Sequence, residues 1–217
     1  DMLTAYYSKG CDSEQIFSGL KIGSREDFKK YLNQYDVIHL DVQWFLSNVE
    51  TADKLIEYMT KSVLAELKEI YPQQLSEKVQ MLPDALSRIR ELTGHKFVII
   101  IDECQELNQM DPAFWGKLQE LWDRCRQSSR TLLVMSGSII SALEDIFGNN
   151  SKPLYGRLND QMMLMPFGPS DMCTIMGTLA PLASDLDLLT VYAMTGGVAK
   201  YICLLYTSPS PRDVEES

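Results

Sequence analysis

The sequence has 217 residues, of which 45% are hydrophobic and 23% charged, a composition typical of a globular protein with one sizeable core. The formal net charge is −10 and the basic residues are scattered, so we expect no direct binding to nucleic acid or to an anionic membrane. The longest apolar runs, 97–101 and 131–135, are much shorter than the roughly 18 residues of a membrane span.

The cysteines and histidines exclude an obvious metal centre. The five cysteines contain no C-x-x-C pair and the two histidines are far apart in the sequence, so their spacing indicates no zinc site. An odd number of scattered cysteines is typical of reduced thiols, and no secretory signal is visible. We therefore expect a cytoplasmic protein.

Hydrophobic patterns predict helices and strands in alternation, which is typical of an α/β fold with a largely parallel sheet. In chain order, the predicted elements are helix 24–35, strand 36–41, helices 51–70 and 83–92, strand 97–102, a helix opened by Asp111 and Pro112, strand 131–135, a helix ending before Gly148, strand 162–165, and helices 171–179 and 187–194.

The strand predicted at 97–102 is apolar throughout and ends in Asp102, which Glu103 follows. The carboxyl ends of parallel strands open into the ligand crevice of α/β proteins. An apolar strand ending in Asp-Glu is the Walker B pattern, in which Asp102 would hold Mg²⁺ through its water shell and Glu103 would polarise the attacking water. The plainer interpretation is that a buried strand ends in acids because the chain reaches the surface there.

Seven stretches of the sequence carry a family resemblance over residues 2–202. Three of them resemble the bacterial predicted AAA-ATPase family: MLTAYYSKGCDS from Met2, FSGLKI from Phe17 and YDVIHLD from Tyr35. The other four resemble the related archaeal-type ATPase family: FVIIIDE from Phe97, SGS from Ser136, PLYGR from Pro153 and TGGVAKY from Thr195. The sequence departs from the family at Ala199, where proline is common.

The resemblance implies an AAA-like P-loop NTPase core with strand order 5-1-4-3-2, in which the four predicted strands are strands 2, 3, 4 and 5. No G-x-x-x-x-G-K-[ST] motif occurs in the sequence. We therefore expect strand 1 and the phosphate-binding loop upstream of Asp1, and we interpret the chain as a fragment. It would comprise a partial ATPase core over 1–168 and the start of a helical, lid-like subdomain over 169–202.

Residues 203–217 are predicted to be a non-native tail. The stretch CLLYTSPSPRD from Cys203 resembles a translated sequencing adaptor. A natural disordered tail is the alternative, because the Ser-Pro repeat has no hydrophobic periodicity.

The resemblance also implies that the parent protein binds and hydrolyses ATP with Mg²⁺, whereas the fragment alone would be inactive. Asp102 would bind the Mg²⁺ and its nucleotide, and Glu103 would orient water. AAA-type enzymes place a sensor of the γ-phosphate at the end of the next strand, so Ser138 is the first candidate and Ser136 the second. Ser138 is equally well explained as a helix N-cap.

Two further residues have two interpretations each. Arg157 would either reach a nucleotide phosphate, for which its planar guanidinium is suited, or form a surface ion pair. Asp41 would either approach the Mg²⁺ site or cap the next helix, and the cap is favoured.

Two rival functions remain open. A metal-dependent phosphohydrolase or nuclease would use Asp41, Asp102 and Glu103 as a carboxylate cluster. A degenerate nucleotide fold would serve only to bind a partner. In relatives a nuclease-like domain often follows the ATPase, so the parent has a possible additional C-terminal domain.

Overall fold

A computed structural model describes residues 2–49, 52–111, 113–125 and 131–207. The chain divides into two compact units, Asp1–Leu158 and Asn159–Ser217. No helix in the described part is both long and apolar enough to cross a membrane.

The first unit contains three strands and nine described helices. The strands are β1 (Asp36–Asp41), β2 (Phe97–Asp102) and β3 (Leu132–Met135). The helices are α1 (Met2–Tyr7), α2 (Glu14–Ser18), α3 (Phe28–Tyr31), α4 (Val42–Ser47), α5 (Ala52–Ile70), α6 (Leu82–Thr93), α7 (Glu106–Met110), α8 (Phe114–Cys125) and α9 (Ile140–Leu143), with a 3₁₀ turn at Lys21–Ser24 and a π-helical turn at Glu144–Gly148. The second unit contains α10 (Pro169–Leu179), α11 (Asp185–Thr195) and α12 (Ala199–Thr207).

The three strands form one parallel sheet in the order β1-β2-β3. The central strand, β2, is buried on both faces, because Phe97, Val98, Ile100 and Ile101 all have little exposed surface. This is the environment that a continuously apolar strand requires. The predicted α/β fold with a parallel sheet is confirmed.

Helix α5 connects two hydrophobic clusters that pack beside the sheet. Its apolar stripe places Leu55 and Met59 in a cluster with Ile101, and Val63 in a second cluster with Phe97. The predicted helix at 51–70 is therefore confirmed from Ala52 onward, and its 3.6-residue periodicity buries one face along its length.

The predicted strand at 162–165 is wrong. These residues have no regular structure, and Met162, Leu164 and Met165 are largely exposed. A strand needs a neighbour to satisfy its backbone groups. In the strand order that the resemblance implies, the neighbour would be strand 1, and no strand of the described chain pairs with 162–165.

The predicted helix at 24–35 is also wrong, because the segment folds as the 3₁₀ turn Lys21–Ser24 followed by the short helix α3. The hydroxyl of Ser24 donates to the carbonyl of Lys21 and caps no helix. Asn33 adopts a positive φ of 53°, and its side-chain amide donates to the carbonyls of Ala5 and Ser8. Tertiary hydrogen bonds therefore replace the last helical turn.

At the C-terminal end, α10 starts at Pro169, and the helical, lid-like subdomain over 169–202 stays a prediction. Helix α12 continues through Cys203 to Thr207, so the first five residues of the predicted tail are helical. Residues 208–217 lie outside the described part of the chain, and the non-native tail stays a prediction.

Candidate functional site

The candidate site lies at the carboxyl ends of the parallel strands. Asp41 is the register partner of Asp102, so β1 and β2 end side by side. The chain leaving β3 stays hydrogen-bonded to the end of β2: the Ser136 N–H donates to the Ile101 carbonyl and the Cys104 N–H to the Ser136 carbonyl, each over 2.9 Å. Segment 136–138 is thereby held against segment 102–105.

The carboxylate of Asp102 is oriented by two donors on one oxygen. Its Oδ1 accepts from the Ser136 hydroxyl at 2.7 Å and from the backbone N–H of Glu103 at 3.1 Å. Both contacts are partly buried. Within the described residues Oδ2 has no partner, so it is available to an external ligand.

Glu103 has an unusual backbone conformation, with a φ of +52°. For a non-glycine residue the left-handed region costs roughly 1–2 kcal/mol, and such strain clusters at functional sites. Its Oε2 accepts a hydrogen bond of 2.9 Å from the Ser138 hydroxyl and a second, short one from Nε2 of Gln105. Both described donors bind Oε2, and they leave Oε1 without a partner among the described residues.

Gln105 belongs to this site although sequence reasoning did not select it. Its side chain is 2% exposed, and its Oε1 has no hydrogen-bond partner in the described chain. A Cβ added at Gly137 would overlap that oxygen. A buried unsatisfied carbonyl costs about 1–3 kcal/mol. A single glutamine after Asp-Glu-Cys carries no signal from which this contact would have been predicted.

Cys104 is the one thiol within the site among the described residues, and it is fully buried. Burial, reinforced by the charge of Asp102, raises the pKa of the Cys104 thiol to about 12. The thiol is therefore protonated at neutral pH, and nucleophilic chemistry, which requires the thiolate, is excluded for it.

Asp41 acts as the N-cap of α4. Its Oδ1 accepts from the backbone N–H of Trp44 at 3.0 Å, as the favoured interpretation predicted. Within the described residues, no three His, Cys, Asp or Glu side chains are grouped so that they could hold a metal ion. The structure therefore does not bring Asp41 together with Asp102 and Glu103 as a carboxylate cluster.

Arg157 makes its hydrogen bonds to other residues. Its Nε and Nη2 donate to the carboxylate of Asp123, with a closest distance of 2.8 Å, and its Nη1 donates to the carbonyls of Pro153 and Tyr155. The structure thus shows the ion pair of the second interpretation, and it brings together Asp102, Glu103, Ser136 and Ser138 without Arg157.

The carboxylate oxygen that Asp102 offers as a ligand fits Mg²⁺. This ion binds hard oxygen ligands and usually takes only one or two carboxylates, with water and substrate phosphate oxygens as its other ligands. A single half-buried carboxylate with Oδ2 available meets that requirement without a cage of protein ligands.

Comparison with known proteins identifies the family of this chain. The model of a family described as "Predicted AAA-ATPase" matches residues 1–120, more than half of the chain. The chain belongs to the predicted AAA-ATPase family. The matched region includes β1, β2, Asp102 and Glu103, whereas Ser136, Ser138 and Arg157 lie beyond it.

A solved structure shows the same fold. The Walker-type ATPase PABY2304 of Pyrococcus abyssi aligns with a TM-score of 0.54 at 16% sequence identity. The alignment covers 91% of this chain but 64% of that protein, so this chain spans less than two thirds of its length. No curated protein matches the sequence. The family model thus shows the family, and the solved structure shows the fold.

Proposed function

We propose that this chain supplies the magnesium-binding and water-orienting part of an ATP hydrolase. The observation that carries the proposal is Glu103, whose strained backbone directs its carboxylate toward Ser138 beside Asp102. A glutamate that served only to end the strand at the protein surface would not require a left-handed backbone conformation. The strain is explained if the position of this carboxylate matters for chemistry.

Each side chain then has a distinct role. Asp102, oriented by the Ser136 hydroxyl, would hold Mg²⁺, which neutralises charge on the phosphate oxygens when bound. Glu103 would accept a hydrogen bond from the attacking water through Oε1 and orient it toward the γ-phosphate. Ser138 donates to the other carboxylate oxygen, and it would sense the γ-phosphate by turning this exposed hydroxyl proton to a phosphate oxygen.

Arg157 remains a candidate for phosphate binding. To take that role it would exchange the carboxylate of Asp123 for phosphate oxygens, which have a similar bidentate geometry. The hydrogen bonds to Pro153 and Tyr155 would meanwhile hold Nη1 in place.

The remaining features of the proposal lie outside the described site. The phosphate-binding loop would come from sequence upstream of Asp1, and ATP would be the partner of the complete site. The cytoplasmic location and a further C-terminal domain stay predictions. The nuclease alternative requires Asp41 in the metal site, and the cap on α4 gives that residue a sufficient role.

The substitution Glu103→Gln tests the proposal in a longer protein that includes the sequence preceding Asp1. Glutamine keeps the size and the hydrogen-bonding reach of the side chain but removes the carboxylate that accepts from water. We expect ATP affinity within about threefold of wild type and ATP turnover lower by roughly 10²–10⁴-fold. Calorimetry and phosphate release measure the two quantities.

The control is Glu91→Gln on the exposed surface of α6, which should change neither quantity. Unchanged turnover in Glu103→Gln would remove Glu103 from the reaction. Turnover by wild type that needs no nucleotide, such as DNA cleavage, would favour the nuclease alternative instead.

A further inference from the structure

We infer that Gln105 is a positioning residue, which holds the Glu103 carboxylate in the orientation that hydrolysis requires, and that Gly137 lacks a side chain because Gln105 occupies that space. The inference rests on the proposed function and deepens it. Neither residue would touch the nucleotide.

The pairing of hydrogen-bonding groups around Glu103 favours a positioning role for Gln105. An ionised carboxylate only accepts hydrogen bonds, so the amide atom that faces Oε2 of Glu103 must be the donor Nε2. Ser138, which follows the carboxyl end of the neighbouring strand β3, donates to the same oxygen. Two donors on Oε2 fix the rotation of the carboxylate and present Oε1 for water.

The burial of Gln105 favours the same role. The side chain is 2% exposed while its Oε1 has no partner in the described chain. An apolar side chain of the same length would avoid this cost, since burial of an unpaired carbonyl is unfavourable. The hydrogen bond from Nε2 of Gln105 to Glu103 therefore explains why a polar residue occupies this buried position.

The close fit of the Gln105 side chain against Gly137 also favours a positioning role. A Cβ at this position would overlap Oε1 of Gln105 and lie 3.1 Å from its Cδ. The amide group thus fills the space above the glycine, and the contact keeps Nε2 turned toward Glu103. Any side chain at Gly137 would push the flexible end of Gln105 away from that carboxylate.

The substitution Gln105→Met separates a positioning role from a structural one. Methionine has nearly the same length and volume and needs no hydrogen-bond partner. A positioning role predicts a melting temperature equal to or above that of wild type, a kcat for ATP hydrolysis lower by roughly 10- to 100-fold, and a KM within about twofold. A structural role predicts the opposite pattern: a lower melting temperature with kcat retained. The exposed Gln80→Met is the matched control.

A double-mutant cycle tests the contact with Gly137. Gly137→Ala should lower kcat about as much as Gln105→Ala, because it displaces the amide. In the Gln105→Ala background, Gly137→Ala should cause no further loss, since no side chain remains to be displaced. Additive losses would show that Gly137 acts on the site by another route and would overturn this part of the inference.

One readout needs no activity. In the 217-residue chain, NMR should show Gln105 side-chain amide signals that exchange slowly with solvent and that shift in Glu103→Gln but not in Glu91→Gln. Absence of that shift overturns the inference even if ATP is hydrolysed. If wild type does not hydrolyse ATP, the proposed function fails, whereas the amide signals still decide whether Gln105 holds Glu103.

Discussion

Asp102 and Glu103 are adjacent acids, yet the backbone gives them different tasks. Asp102 ends the ladder of β2 in ordinary strand conformation, and Ser136 and the next N–H orient it. The positive φ of Glu103 then turns the chain sharply into α7 and directs the second carboxylate toward Ser138. The two like charges are therefore held by separate hydrogen-bond donors.

Asp41 provides a test at the scale of one residue. If it acts only as the N-cap of α4, Asp41→Ala should lower the free energy of unfolding of the first unit by about 1 kcal/mol. Asp41→Asn should leave it nearly unchanged, because asparagine caps a helix equally well. Urea unfolding followed by tryptophan fluorescence measures both variants, since all three tryptophans lie in the first unit.

The matched pair also tests the metal-cluster alternative. A carboxylate that contributed to a Mg²⁺ site would make Asp41→Asn lose any stabilisation by added Mg²⁺ while its stability in metal-free buffer stayed the same. Equal stability losses for the two variants would contradict the capping role.

The site residues that could be predicted from the sequence differ from those that could not in the kind of pattern that marks them. Asp102, Glu103 and the serines after β3 sit at ends of apolar runs, and parallel strands must align those ends, so pattern alone places them together. Gln105, Gly137 and Asp123 were missed because their roles depend on contacts between segments about 30 residues apart. No local period reports such contacts.

At the scale of elements, the long amphipathic helices and all three strands of the described sheet were predicted, whereas helices of five or six residues were not. Helices α4 and α7 are five or six residues long, too short to show a period. The segment 162–165 has strand composition without a ladder partner in the described chain. Composition favours a strand, but pairing decides whether one forms.

The two glycines after α11 give an element-scale prediction in the second unit. Both have positive φ, 58° at Gly196 and 74° at Gly197. A Cβ at Gly196 would meet nothing within 4 Å, whereas one at Gly197 would overlap the carbonyl of Phe167, whose N–H donates to the Gly197 carbonyl over 2.8 Å. Gly196 is thus required only for its backbone conformation. Gly197 is also required because a side chain there would not fit against Phe167.

We therefore expect Gly196→Ala to destabilise the second unit by about 1–2 kcal/mol and Gly197→Ala by roughly 3 kcal/mol or more. Hydrogen exchange followed by mass spectrometry, on peptides from α10 and α11, measures the local stability. Peptides from α5 in the first unit serve as the internal control. Equal effects of the two substitutions would show that the contact with Phe167 does not constrain the turn.

At the scale of the whole molecule, the proposed site extends beyond the part of the chain that the family model matches. The family match ends at residue 120, and the solved structure extends the shared fold over 91% of the chain at 16% identity. Asp102 and Glu103 therefore lie within the family match, and Ser136, Ser138 and Arg157 lie after it. The hydrogen bonds from Ser136 to Asp102 and from Ser138 to Glu103 join the two parts of the site.

The last prediction concerns the 217-residue chain as a whole. The Kd of this chain for Mg-ATP should be above about 1 mM, a value that corresponds to a binding free energy of roughly −4 kcal/mol. Most of the binding energy for a triphosphate comes from backbone N–H groups of a phosphate loop, from the helix N-terminus behind it and from its lysine. The sequence contains no such motif, and its net charge of −10 repels the nucleotide.

Titration calorimetry of the chain, beside a longer protein that includes the sequence preceding Asp1, measures the difference. The longer protein should bind in the micromolar range, and Glu103→Gln should leave that affinity nearly unchanged, because the carboxylate acts on water. Micromolar binding by the chain alone would mean that the described residues already form a phosphate site. In that case Arg157 is the first residue to test, since its guanidinium is the group best suited to phosphate among the residues proposed for the site.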